Sequence, residues 1–136
     1  MRKVILVSHG ELAMGMKNAV QMIIGDKEEI YHYGLFEGEH PKTIYSKILS
    51  DVREHPEEEY IVISDVFGGS VNNAMLSLLK EPQVHLLTGM NLGLIISLCL
   101  GNESTTSELI KNALHDSSQN IMYINDWFQK QKGGIL

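Results

Sequence analysis

The sequence carries a single cysteine, Cys99, so no intrachain disulfide can form and a cysteine-based zinc site is excluded. It is also short of positive charge: 11 Lys and Arg stand against 17 Asp and Glu, a formal net charge of −6. Nucleic acid is therefore not expected as its main partner, because neutralising phosphates takes clustered Lys and Arg. Long apolar runs are missing as well. The longest candidate, residues 92–100, is interrupted by Gly93 and Ser97 and falls short of the roughly 18 residues of a membrane span. The run behind Met1-Arg2-Lys3 ends at Val7, too short for the core of a signal peptide. No nucleotide-binding fingerprint is present either. Gly10 and Gly15 are spaced as in a P-loop, but the lysine, Lys17, comes one residue late with no Ser or Thr after it, and no G-x-G-x-x-G occurs. What remains, 136 residues of which 43% are hydrophobic, is too apolar for disorder and the right length for one domain. A soluble cytoplasmic protein is expected.

Six histidines are present: His9, His32, His40, His55, His85 and His115. None forms an H-x-x-x-H or H-x-H pair, so no metal site and no cofactor is expected, and any histidine that matters acts singly. His32, His40, His55, His85 and His115 read as structural or solvated residues, and the methionines Met14, Met16, Met22, Met75 and Met90 as core and near-core filling.

Short β-branched runs alternate with helical patterns along the chain. Residues 3–8 (K-V-I-L-V-S) read as a buried strand. Leu12, Met16, Ala19, Val20, Ile23 and Ile24 then share one helix face, and Gly25 stands where a helix C-cap belongs. Residues 30–33 make a second strand, and a helix with Ile44, Ile48 and Val52 on one face follows Pro41 and ends at His55-Pro56. Residues 60–64 are a third strand, leading through Asp65-Val66-Phe67-Gly68-Gly69-Ser70 into a helix carrying Val71, Ala74, Met75, Leu78 and Leu79. Residues 84–87 are a fourth strand, followed by Thr88-Gly89 and an apolar helix over 92–100. Thr105 with Glu108 fits a capping box for a further helix, residues 121–124 (I-M-Y-I) read as a short fifth strand, and the tail after Trp127 is expected to be loose unless a partner holds it.

This alternation implies an α/β fold: a doubly wound, mainly parallel sheet of order 2-1-3-4 with helices on both faces. Such sheets bind ligands beyond the carboxyl ends of their strands, where the strand order reverses. His9 ends the first strand directly before a glycine and a helix, and Asp65 holds the same place after the third. The order 2-1-3-4 makes those strands neighbours, so the two side chains would face each other. A carboxylate on one ring nitrogen fixes the tautomer and leaves the other nitrogen's lone pair free to attack. Gly68, Gly69 and Ser70 would add backbone N–H groups and a hydroxyl, a cradle for phosphate oxygens, with Gly10 beside them. The pattern suits a phosphohistidine. Taken alone, Asp65 also fits a turn or N-cap residue, and Gly-Gly-Ser a tight turn with a capping serine.

Three segments, V-I-L-V-S-H-G-E-L-A-M-G-M-K-N-A (4–19), S-D-V-F-G-G-S-V-N-N-A (64–74) and L-L-T-G-M-N-L (86–92), resemble the enzyme IIA component of the mannose-type family of the bacterial phosphoenolpyruvate-dependent sugar phosphotransferase system. The resemblance runs in order along nearly the whole chain and implies one enzyme IIA domain over 1–136. It implies a phosphocarrier that accepts phosphate from HPr and passes it to enzyme IIB during sugar uptake, with the membrane components IIC and IID reached only indirectly. By that resemblance His9 is the phosphorylated histidine, Asp65 the aspartate that orients it, Ser70 the serine near the phosphoryl group, and Gly68 and Gly69 its glycine pair. The family's fold has an antiparallel fifth strand exchanged between two subunits, which gives 121–124 a purpose and implies a homodimer. Two positions depart from the family's pattern: Val71 follows the serine where members often have proline, and Gly93 stands where many have proline. Both lie at the site's edge and bear on partner recognition more than on chemistry. Two other readings fit the fold: a phosphocarrier subunit of a dihydroxyacetone kinase, from which Gly10 after the histidine differs, and a non-enzymatic flavodoxin-like binding or regulatory module.

Overall fold

The apolar run behind Arg2 forms a central strand. In the computed structural model, which describes residues 2–26 and 29–132, β1 (Arg2–His9) lies between β2 (Ile30–Leu35) and β3 (Glu59–Ser64), and β4 (Val84–Leu87) pairs with β3. All pairings are parallel and the order is β2-β1-β3-β4, as the sequence predicts. Successive side chains of a strand point to opposite faces, and here both faces are covered. Val4 and Leu6 with Ile61 and Ile63 pack against α1 (Leu12–Ile24), α4 (Leu92–Leu100) and α5 (Thr106–Ser118) through Val20, Leu94, Ile95, Leu98 and Leu109. Ile5, Val7 and Val62 pack on the other side against α2 (Lys42–Glu54) and α3 (Ser70–Met75) through Ile44, Ile48, Val52, Val71 and Met75. Burying each such side chain stabilises the fold by about 1.5–3 kcal/mol. Double coverage explains why β1 and β3 read as continuous apolar runs.

The connections place the loops. From β1 the chain passes through α1 to β2 on one side, then through α2 over β1 to β3 on the other. The chain direction therefore reverses between β1 and β3, and the loops that follow their last residues meet there. Local signals hold where expected. Thr105 accepts a hydrogen bond from the Glu108 N–H at 3.1 Å, Asn91 caps α4 by accepting from Leu94 at 2.9 Å, and α1 stops at Gly25.

Four expectations need correction. The buried residues of α1 are Ala13 and Val20, whereas Leu12 and Ile23 face solvent, so the apolar stripe is rotated from the one read in sequence. Met75 and Met90 are buried and Met16 packs at the core's margin, but Met14 is exposed and Met22 is 88% exposed. The helix after Ser70 tightens into a 3-10 turn over Leu76–Lys80, which buries Leu78 and turns Leu79 outward, 55% exposed. No strand forms over 121–124. Residues 121–123 are irregular and α6 (Ile124–Lys132) begins at Ile124, where Ile124, Trp127 and Phe128 follow helical spacing. A short strand needs an edge to pair with, and within this one chain the outer edge of β4 is not reached. The end of the tail, residues 133–136, lies outside the described residues.

The amino-terminal end of the sheet is tied by charge. Arg2 donates from Nε to Thr106 Oγ1 (2.8 Å) and from Nη2 to the Glu103 carbonyl (2.9 Å). The Thr106 hydroxyl donates to Glu59, and Glu59 also meets His85 Nε2 at 3.3 Å. Lys3 pairs with Glu58 (3.2 Å) and Asp51 (3.5 Å) and lies 5.5 Å from the ring centroids of Tyr31 and Tyr60.

Candidate functional site

His9 is the last residue of β1, and its ring leaves the sheet at the carboxyl end. The residue before it, Ser8, is fully buried, and its Oγ accepts from the Ala13 N–H at 2.7 Å, which anchors the start of α1 behind the loop. Ser8 stood in the sequence as one of the strand-end residues, with no sign of this capping role. Gly10 then turns the chain at φ +54°, a value L side chains rarely adopt. The Gly10 N–H donates to the Leu35 carbonyl at 2.7 Å, and the two loops approach so closely that a Cβ on Gly34 would lie 2.3 Å from the Gly10 oxygen. Gly10 thus shapes the turn, and its amide is already spoken for.

Asp65 follows the last residue of β3, and its carboxylate faces His9 across the switch point. One oxygen, Oδ2, accepts from both the His9 backbone N–H and the ring Nδ1–H, each at 2.8 Å, and Oδ1 accepts from the Val66 N–H at 2.9 Å. The Asp65 side chain is only 6% exposed, while that of His9 is 52% exposed. Burial pushes the Asp65 carboxyl up, but the bonds from the His9 backbone, the His9 ring and Val66 outweigh it and hold the group below the usual carboxylate range. The carboxylate is an acceptor only, so the Nδ1 it faces carries the proton. The far nitrogen, Nε2, therefore keeps its lone pair, and Ser70 Oγ stands 3.3 Å from it.

The loop between Asp65 and Ser70 closes over the ring. Gly68 turns the chain at φ +80°, and a Cβ built on Gly69 would lie 3.5 Å from His9 Cε1, so Gly69 lies directly against the imidazole. Val66 and Phe67 on the same loop point outward, Phe67 being 79% exposed. Of the sequence-expected residues, the structure brings His9, Asp65, Gly69 and Ser70 into contact and sets Gly10 and Gly68 at the turns on either side. The other histidines stand apart. His32, His40 and His115 are exposed, and His55 and His85 are tied to Asp51 and Glu59. Among the described residues, no three His, Cys, Asp or Glu side chains group as a metal ion would require.

A half-exposed imidazole with a fixed tautomer and a hydroxyl beside its far nitrogen is an arrangement able to carry a group. The family model EIIA-man, described as the PTS system fructose IIA component, matches residues 3–115. The chain belongs to this family. The fructose-specific EIIA component of the PTS from Bacillus subtilis (strain 168) is 28% identical over 135 residues, covering 97% of this chain and 92% of its own. The sorbose-specific EIIA component from Klebsiella pneumoniae is 30% identical over 104 residues, 76% of each chain. In fold, the chain is similar to the phosphotransferase system component EIIA from Streptococcus agalactiae, with a TM-score of 0.84 at 21% identity over 93% of this chain and 99% of that one. As a member of the EIIA family the chain is a sugar phosphotransferase-system protein. The matched range contains the loops bearing His9, Asp65 and Ser70 and ends before the segment at 121–124. No helix among the described residues is long and apolar enough to cross a membrane.

Proposed function

We propose that this chain acts as one enzyme IIA domain, a phosphocarrier that takes a phosphoryl group from phospho-HPr on His9 and hands it to an enzyme IIB during sugar uptake in the cytoplasm. The observation that carries this reading is the His9 ring: Nδ1–H held at 2.8 Å by a nearly buried Asp65, on a side chain 52% exposed, with Ser70 Oγ 3.3 Å from Nε2. In the forward step the Nε2 lone pair attacks the phosphorus of the donor's phosphohistidine. A new N–P bond forms as the donor's N–P bond breaks, and the donor nitrogen keeps that electron pair. The His9 ring becomes cationic because Nδ1 retains its proton, and Asp65 balances the charge. Ser70, whose hydroxyl stands 3.3 Å from Nε2, is placed to meet the transferred oxygens, so the chain contributes position and charge and little covalent chemistry. The same step in reverse delivers the group to enzyme IIB.

Incubation with phosphoenolpyruvate, enzyme I and HPr, followed by intact-mass measurement, tests the reading. The expected result is an acid-labile gain of one phosphate that is absent in His9→Ala; no gain with demonstrably active components would overturn it.

The homodimer is proposed on separate grounds. Beside the unpaired edge of β4 runs a groove of about 560 Å³, lined by Leu79, Leu86, Ser107, Ile110 and Leu114 among others. Ile121, Met122, Tyr123 and Ile124 are exposed beyond α5, Ile121 at 81%. An open strand edge, an apolar groove and an unpartnered apolar segment in one chain fit exchange of that segment between two copies. A chain ending at residue 117 is expected to sediment as a monomer where the full chain sediments as a dimer. A dimer from the shortened chain would refute the exchange.

A further inference from the structure

Behind the His9 loop lies a buried polar cluster that the phosphocarrier reading leaves unused. Ser64, the last residue of β3 and the one before Asp65, is fully buried, as is Asn72 apart from 3% of its surface. Ser64 Oγ stands 2.8 Å from Asn72 Oδ1 and 2.8 Å from Thr88 Oγ1. A serine has one hydroxyl hydrogen. It goes to Asn72 Oδ1, which has none to give, so Thr88 donates its own hydroxyl hydrogen to Ser64. The Ser64 carbonyl also accepts from the Met90 N–H at 3.2 Å, tying the turn after β4 to the same point.

The placement matters because of what holds Ser70. The helix that carries it, α3, is six residues long, has no side-chain cap, and is reached through the permissive Gly68-Gly69 pair. Among side chains, its first turn is tied to the loop only by an exposed bond, from Asn73 Nδ2 to the Gly68 carbonyl at 3.3 Å. Val71 is buried there too, but an apolar contact has no direction. The Asn72–Ser64 hydrogen bond has one. It closes the 65–69 loop by joining the residue just before Asp65 to the turn that bears Ser70, and so fixes the 3.3 Å separation of Ser70 Oγ from His9 Nε2.

We propose that Asn72, Ser64 and Thr88 are positioning residues that hold Ser70 against the far nitrogen of His9. The proposal rests on the reading of His9 as phosphoryl acceptor, but part of its test does not. Asn72→Leu keeps the size of the side chain and removes its polarity, and should slow phosphoryl uptake from phospho-HPr roughly ten- to a hundredfold, the scale of a misplaced catalytic contact. Ser64→Ala should do nearly as much. Thr88→Val should cost about twofold, since Ser64 can still donate to Asn72 without it, and Thr88→Ser should restore the wild-type rate.

The ring reports directly. In the unphosphorylated protein the ¹⁵N resonance of His9 Nε2 should move in Asn72→Leu in the same direction as in Ser70→Ala, because both variants withdraw the hydroxyl. In a Ser70→Ala background Asn72→Leu should add no further loss. Equal losses in both backgrounds, or a lowered melting temperature with the Nε2 resonance unmoved, would show that the cluster only stabilises α3 and overturn the proposal. Should Asn72→Leu fail to fold, the Ser64→Ala/Asn72→Leu pair, which deprives only the partly exposed Thr88 hydroxyl of its partner, carries the same measurements. If the wild-type chain takes up no phosphate, the phosphocarrier reading fails while the resonance measurements still decide the positioning.

Discussion

One strand carries two histidine–carboxylate pairs. At the first residue of β3, Glu59 meets His85 at 3.3 Å, and just past its last residue Asp65 meets His9 at 2.8 Å. By residue type the pairs are alike, and what surrounds them differs. Glu59 is bonded first to Thr106, which Arg2 also holds, so its carboxylate joins β1, β3, β4 and α5, and the imidazole is one tie among several. The Glu59 side chain is 45% exposed and that of His85 28% exposed. At the other end the carboxylate is buried at 6% exposure, held by two backbone N–H groups, and the imidazole is the exposed partner. A fixed carboxylate behind an open ring prepares the ring for chemistry. An open carboxylate wrapped by several donors is a clamp.

The largest effect should come from exchanging the fixed carboxylate for an amide. Asn at position 65 can turn its NH₂ towards Nδ1, which then becomes the acceptor and sends the ring proton to Nε2, where it blocks attack. Asp65→Asn is expected to lower the rate of phosphoryl uptake about 10²- to 10⁴-fold, measured by rapid quench with phospho-HPr, while the fold persists. Glu59→Gln, the matching change at the clamp, should leave that rate within about twofold. A large loss in Glu59→Gln would break the contrast.

Glycines at the two ends sharpen it further. Gly34→Ala would set a methyl 2.3 Å from the Gly10 oxygen, backbone against backbone, so the loop bearing His9 must shift. Gly101→Ala would meet Leu109 Cδ1 at 2.2 Å, the end of a side chain, with the Ser97 oxygen at 3.1 Å. Each is expected to lower stability by about 1–3 kcal/mol in chemical denaturation. Only Gly34→Ala should also slow phosphoryl uptake. Equal slowing by both would mean that the loss follows general loosening of the sheet and not the geometry of one loop.

The site end was far more legible in sequence than the clamp end, for a physical reason. His9 and Asp65 follow strands whose apolar runs announce themselves, so a parallel order alone sets them side by side. Thr105 with Glu108 was legible because a cap is local. The Arg2–Thr106–Glu59–His85 ties join residues up to 104 positions apart with no periodic pattern to mark them. Asn72 was invisible likewise: a polar residue in a first helical turn reads as solvent-facing until the buried Ser64 is found beneath it. The segment at 121–124 forms no strand within one chain because four apolar residues fit a strand or a helix start equally, and only an available edge decides.

The smallest expected effect separates the two carboxylates by pH. The Thr106 hydroxyl, set against the cost of burial and aided by His85, holds Glu59 below its ordinary 4.5. Asp65 is held below its ordinary 3.8 by its hydrogen bonds in spite of burial. In both cases the unfolded chain binds the proton more readily, so the stabilisation is complete above the ordinary value and is lost as pH falls through the lower folded one. The half-exposed Glu59 is screened by solvent, so Glu59→Gln should cost only about 1 kcal/mol near neutrality. That difference from wild type should shrink once the pH drops below about 4.5. For Asp65→Asn the difference should persist to more acid conditions and begin to shrink only below about 3.8. Urea titrations stepped through this range check the order. If the Asp65→Asn difference closes first, Asp65 is the looser of the two carboxylates, and the assignment of clamp and prepared ring to the two ends of β3 is reversed.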